Sequence, residues 1–161
     1  RRVLRLVFRR KVSINLLVRM LISEIRRPSA TKEKEVSRIR YNDQLLKLIR
    51  DKNPCRILLF RAGLIISREI LSEGIPIFNI HCARLPEFGG IGAIWRAMQC
   101  GAIHQCATLH RITSRIDEGE VIDTEGYTLD TGKSYGYNEN LAYEAGGRLL
   151  ERVADLDSSE L

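Results

Sequence analysis

No apolar run in this 161-residue chain approaches the roughly 20 residues a helix needs to cross a bilayer, so no transmembrane helix is expected. The four cysteines (Cys55, Cys82, Cys100 and Cys106) form no C-x-x-C pair, and no signal-peptide pattern precedes them. A reduced, cytoplasmic protein is the simplest expectation. Internal repeats and low-complexity tracts are missing, as is a glycine-rich phosphate loop after a first strand. The chain opens on Arg1 instead of Met, so a piece of a longer protein lacking its first strand is expected; a sheet short of a central strand would expose edges and favour self-association. A single domain spanning residues 1–161 fits the length.

The formal net charge of +6 is unevenly placed. Residues 1–27 hold nine Arg or Lys and the single acid Glu24, a net of +8, which leaves −2 for all the rest. A near-neutral body argues against a broad nucleic-acid surface, although the basic segment leaves a polyanion or anionic-membrane contact open. Leu4, Val7, Phe8, Leu17, Met20, Leu21 and Glu24 recur at helical spacing, which predicts an amphipathic helix over residues 3–25 with a basic outer face.

Polar residues 28–35 read as an exposed connection. Asn42 or Asp43 is expected to cap a helix carrying Leu45, Leu46, Leu48 and Ile49, which Asn53-Pro54 ends. Residues 55–60 read as a buried strand, 68–72 as a short helix capped by Ser67 and stopped by Gly74, and 75–80 as the next strand. Strand, helix and strand in so short a stretch form a βαβ unit, hence parallel strands and an α/β, mostly parallel sheet with flanking helices. A helix over residues 92–101, strands over 106–113 and 120–128, and a helix over about 138–156 complete the chain.

Two stretches carry chemistry. Asn79 and His81 sit two apart at a strand end, so they share one face, and a Pro/Gly loop follows them. Asp117, in the turn Asp117-Glu118-Gly119, supplies a carboxylate. Amide, imidazole and carboxylate together can stabilise an oxyanion and move protons. The other candidates are weaker. His110 lies inside a strand, where core packing or a structural hydrogen bond is the plain reading, and His104 reads as exposed in a polar turn. Cys82 as nucleophile conflicts with alternation, since neighbours in a strand face opposite ways. His81, Cys82, Cys106 and His110 match no usual zinc spacing, so no metal is expected. Asp117 and Glu118, being adjacent, do not converge as a carboxylate pair.

In order, Asn79-x-His81, Leu85-Pro86-x-Phe88-x-Gly90, Thr108-x-His110 and Asp117-x-Gly119 resemble the folate-dependent formyltransferases, the family of glycinamide ribonucleotide, methionyl-tRNA and sugar-amine formyltransferases. The resemblance covers about residues 54–128, with a weaker echo in the C-terminal helix. Trp95 after Gly90-Ile91-Gly92 looks more like the sugar-amine branch. The resemblance implies a Rossmann-like fold with 10-formyltetrahydrofolate as donor. It also implies an amine acceptor, here a small molecule such as a sugar or nucleotide-sugar, and Asn79, His81 and Asp117 as the catalytic trio. Arg61, Leu64, Ile65, Ile66 and Arg115, together with Asn79 and Asp117, would hold the folate. Hydrolysis of the formyl donor, or an inactive folate- or tRNA-binding homologue, are the alternatives. Three positions depart from the family pattern: Gly89 stands where Arg is usual, Cys82 where Pro or a small residue is common, and Arg84 where an apolar residue is found.

Overall fold

The computed structural model describes residues 13–26, 37–154 and 156. Among these residues nine elements follow one another: α1 (Ile14–Arg26), α2 (Asn42–Lys52), β1 (Ile57–Phe60), α3 (Arg68–Leu71), β2 (Ile77–His81), α4 (Ala93–Gln99), β3 (His104–Arg111), β4 (Val121–Thr128) and α5 (Tyr135–Ala154). The strands form one sheet in the order β1-β2-β3-β4. The α/β architecture with flanking helices agrees with the sequence; the proportion of parallel pairing does not. Among the described residues only β1 and β2 run parallel, whereas β2–β3 and β3–β4 are antiparallel, so the sheet is mixed. The βαβ crossover through α3 enforces parallel pairing once. After β2 the chain returns through a loop and α4 without crossing over, and β3 runs back alongside β2.

Helices cover both sheet faces. On one, α5 buries Ala145, Leu149 and Val153 completely against Phe78, Ile80, Ala107 and Leu109, while Ala142 is buried among Leu16, Ile94, Ala97 and Leu129. On the other, Leu45 and Ile49 of α2 and Ile70 of α3 pack on Ile57, Leu59 and Ile77. Asn79 and His81 continue the Ile77 face, two and four residues on. Where α5 crosses the sheet the fit is tight. A Cβ on Gly146 would sit 2.7 Å from Phe60 Cε2 and 3.1 Å from Cys82 Sγ.

Local signals mostly set the boundaries. Asn53, left-handed at φ 43°, ends α2 and donates its backbone N–H to the Ile49 carbonyl. The Ser67 hydroxyl accepts from the Ile70 N–H at the start of α3, and Gly74 follows at φ 76°. Four expectations change. The N-cap of α2 is Tyr41, with Gln44 Oε1 accepting from the Arg40 and Tyr41 backbone N–H groups; Asn42 instead reaches the loop after β1. His104 begins β3 and is not in a turn, though it is exposed. The last helix starts at Tyr135, because the Ser134 hydroxyl accepts from the Tyr137 N–H and Asn138 turns its side chain back to Asp130. Finally, α1 presents an apolar outer face. Leu16 is buried with Leu17 and Met20 beside it, while Ile14, Val18, Leu21, Ile22 and Ile25 are exposed. Of the arginines and lysine behind the expected basic face, Arg19 and Arg26 belong to α1; the others, in residues 1–12 and at Arg27, lie outside the described residues, as does the connection over 28–35.

Candidate functional site

The β2–β3 register makes one constellation of two sequence motifs. Asn79 pairs with His110 and His81 with Thr108, and paired residues share a face. Both pairs therefore face the same way at the carboxyl end of β2. Thr108 Oγ1 donates to the Ala83 carbonyl at 2.9 Å, and Tyr127 Oη donates to the Cys82 carbonyl at 2.7 Å. These two bonds fix the chain just beyond His81. The Cys82 side chain lies on the α5 side, as its closeness to Gly146 requires, so it is turned away from His81.

Asp117 arrives from the turn after β3. Its backbone is left-handed at φ 55°. The turn closes on Gly119, whose position admits no side chain, since a Cβ there would lie 1.7 Å from the Arg111 carbonyl oxygen. The Asp-x-Gly spacing thus has a steric cause: glycine lets the chain double back on β3, and Asp117 is left aimed at β2. Asp117 Oδ2 accepts the Gly90 backbone N–H at 2.7 Å and stands 3.7 Å from His81 Nδ1, while Oδ1 stands 3.6 Å from His110 Nε2.

Proton positions follow from the partners. Carbonyl oxygens only accept, so His81 Nε2–H donates to the Phe88 carbonyl at 2.8 Å and His110 Nδ1–H to the Arg111 carbonyl at 3.2 Å. His110 Nε2 is then a lone pair and accepts from Asn79 Nδ2 at 3.1 Å. Burial, the largest influence, lowers the His110 pKa below its ordinary 6.5 and favours the neutral ring; Asp117 and the Arg111 carbonyl pull upward, and His81 pushes down. His110, read from sequence as a packing or hydrogen-bonded histidine, is the residue that orients the Asn79 amide. Its signal was the Thr-x-His spacing, but only the register shows what it faces.

The residues expected to hold folate lie on two loops. Residues 61–66 leave β1 level with His81, because Phe60 pairs with Ile80. Arg61 is left-handed at φ 56° and its guanidinium stacks 4.4 Å from the Tyr143 ring centre. Asn42 pins this loop, donating to the Ile65 carbonyl at 3.1 Å and accepting from the Ser67 N–H at 3.3 Å. Leu64 and Ile66 pack inward, leaving Ile65 exposed. Arg115 extends outward to Glu118 at 3.3 Å, while its backbone N–H meets Thr113 Oγ1. Each of the three loops at this edge exposes one isoleucine: Ile65, Ile91 and Ile116. Two surface hollows, of about 280 and 430 Å³, are lined by α1 with the start of α5 and by α2 with residues 37–39; neither includes Asn79, His81 or Asp117. Among the described residues, no group of three or more His, Cys, Asp or Glu could hold a metal ion, and no helix is long and apolar enough to cross a membrane.

The methionyl-tRNA formyltransferase of Francisella philomiragia is 29% identical over 119 residues, 71% of this chain but 38% of that protein. This chain thus spans well under half the length of that relative. Among solved structures, phosphoribosylglycinamide formyltransferase from Streptococcus pneumoniae superposes with a TM-score of 0.61 at 31% identity, over 70% of this chain and 63% of that one. A formyltetrahydrofolate deformylase from Pseudomonas syringae shares the fold, with a TM-score of 0.57 at 21% identity over 68% of this chain and 38% of that one. The family model for formyl transferase matches residues 4–153, nearly the whole chain. The chain belongs to the formyl transferase family.

Proposed function

We propose that this chain transfers a formyl group from 10-formyltetrahydrofolate to a primary amine, with Asn79, His81 and Asp117 as the groups that touch the reacting atoms. The observation that carries the reading is the convergence of these three residues, within a formyl transferase family member, at the carboxyl edge where open α/β sheets bind ligands. The folate supplies the activated formyl group, and every other role falls to the chain. The loop over residues 61–66 offers backbone groups to a flat heterocycle, and Ile65, Ile91 and Ile116 offer apolar cover for it.

Asn79 Nδ2 carries two hydrogens. One is engaged by His110, and the other is directed at the formyl oxygen as the amine attacks and that oxygen becomes anionic. One such donor is worth about 2.7–4 kcal/mol in the transition state. His81, with its Nε2–H held on the Phe88 carbonyl, turns Nδ1 toward Asp117 and the attacking amine. Attack by the neutral amine leaves its nitrogen positively charged; Asp117 takes a proton from that nitrogen and returns it to the folate nitrogen as the C–N bond to the donor breaks. The new C–N bond and the transferred proton balance the step. For the acceptor we propose a small amine-bearing molecule, a sugar or nucleotide-sugar.

Incubating the protein with 10-formyltetrahydrofolate and amino sugars, then separating products by mass, tests the reading. A formylated amine that disappears with His81→Ala is expected. Free formate without a formylated amine would make the protein a hydrolase, and unchanged turnover by His81→Ala would remove His81 from the chemistry.

A further inference from the structure

Between β2 and α4 the chain runs through Phe88-Gly89-Gly90-Ile91, and successive backbone groups of this short loop point in two directions. Toward the site, the Phe88 carbonyl accepts His81 Nε2–H at 2.8 Å and the Gly90 N–H donates to Asp117 Oδ2 at 2.7 Å. Away from it, the Gly89 and Ile91 carbonyls both meet one guanidinium. Arg96 Nη1 donates to Ile91 at 2.8 Å, and Arg96 Nη2 donates to Gly89. Two glycines, one of them left-handed at φ 79°, give the loop little stiffness of its own. The rigid fork of an arginine spans two carbonyls at once, which a lysine ammonium does not do in fixed geometry. Arg96 is held in turn by α4, one turn into the helix and flanked by Ala93, Ile94 and Ala97, all buried.

We propose that Arg96 is a positioning residue for formyl transfer, acting through the Phe88–Ile91 backbone to set the tautomer of His81 and the placement of Asp117. The role rests on the function proposed above, but its structural half does not. With Arg96 in place the loop presents its carbonyl to His81 Nε2, so the neutral ring carries its proton there and Nδ1 faces Asp117. Without the clamp the Phe88 carbonyl and Gly90 N–H are no longer delivered together. A side chain in place of Gly89 would emerge against Asp117, its Cβ 3.3 Å from Asp117 Cβ. Arg96 braces the same loop from the opposite side and leaves the space beside the carboxylate clear.

The test compares the whole chain with Arg96→Ala and Arg96→Lys by two readouts. The first is nitrogen-15 NMR of the His81 ring, which reports the tautomer without any substrate. Wild type should show protonated Nε2, Arg96→Ala a mixture, and Arg96→Lys an intermediate. The second is formyl-transfer kinetics. A misplacement of about 1 Å can cost on the order of 100-fold, so Arg96→Ala should lose about that much in kcat with KM for the amine little changed, and Arg96→Lys should recover part of it. An unchanged His81 tautomer, or kcat within about twofold of wild type where a 100-fold loss is expected, overturns the proposal. If wild type transfers no formyl group while Arg96→Ala still shifts the tautomer, the functional reading fails and the positioning stands. Should Arg96→Ala not fold, Arg96→Lys alone decides on the NMR readout.

Discussion

His110 cannot take up a proton without giving up the bond that orients Asn79, because Nδ1 is already protonated toward Arg111 and Nε2 is the acceptor. Its pKa lies below the ordinary 6.5, chiefly through burial, so the unfolded chain binds this proton more readily than the folded one. Stability contributed by the neutral ring is therefore present above about 6.5 and is lost as pH falls below that value. Urea titrations should show this decline on acidification, and His110→Gln should flatten it; an identical pH slope in the variant would contradict the assignment. Asp117→Asn keeps an oxygen for the Gly90 N–H and should fold, yet lose on the order of 10²–10⁴ in kcat with the carboxylate gone. A circular-dichroism melt alongside the assay separates the two effects. At Gly119 even a methyl group collides with backbone, its Cβ 1.7 Å from the Arg111 oxygen. Gly119→Ala should displace the Asp117 turn and abolish activity, measured as loss of formyl transfer in whatever fraction stays folded.

Helix α5 is the element on which the sheet depends. Its buried residues Ala145, Leu149 and Val153 recur at helical spacing in the sequence, and burial on Phe78 and Leu109 gives that spacing its energy. Leu149→Ala should cost about 2–5 kcal/mol in chemical denaturation. Gly146→Ala should cost about 1–3 kcal/mol despite the better helix propensity of alanine, because the methyl meets Phe60 and Cys82 where helix and sheet approach most closely. A stabilised Gly146→Ala protein would mean that the helix can move away freely. The ends of α5 are tied by groups that no periodicity reveals. Arg56, just before β1, donates to the Ala154 and Leu156 carbonyls, and Glu139 accepts from Tyr135 at 2.8 Å and from Ser23 of α1. On the exposed strand β4, Arg148 and Arg152 reach Glu125 and Asp123, placing charge on an edge strand.

At the scale of the molecule, two helical layers hold a mixed sheet whose carboxyl edge gathers three loops and the trio. A folate analogue binding the folded state alone should raise its stability by RT ln(1 + [L]/Kd), about 2.7 kcal/mol at 100 times Kd. For a chain of this length that is a rise of roughly 5–10 °C in melting temperature. Thermal scans with and without 5-formyltetrahydrofolate measure it directly, and no shift at saturating analogue would argue against a folate site. The apolar outer stripe of α1 (Ile14, Val18, Leu21 and Ile25) takes no part in the core.

The one-dimensional pattern by itself determined what depends on neighbours in the chain. Alternation in an extended segment puts Asn79 and His81 on one face. Asn53, Ser67 and Gly74 mark helix ends through their own backbone preferences and short-range hydrogen bonds, and the order of motifs identified the family. Tertiary structure alone decided what depends on residues distant in sequence. Antiparallel pairing of β3 with β2 sets His110 opposite Asn79 and Thr108 opposite His81, where a mostly parallel sheet had been expected. Contact of Gly119 with Arg111 aims Asp117, and the fork of Arg96 sets the loop that touches both His81 and Asp117. The reason is physical: side-chain alternation and turn preference are properties of a few consecutive residues, whereas strand direction, register and backbone hydrogen bonds from a loop are settled only when separate segments pack together.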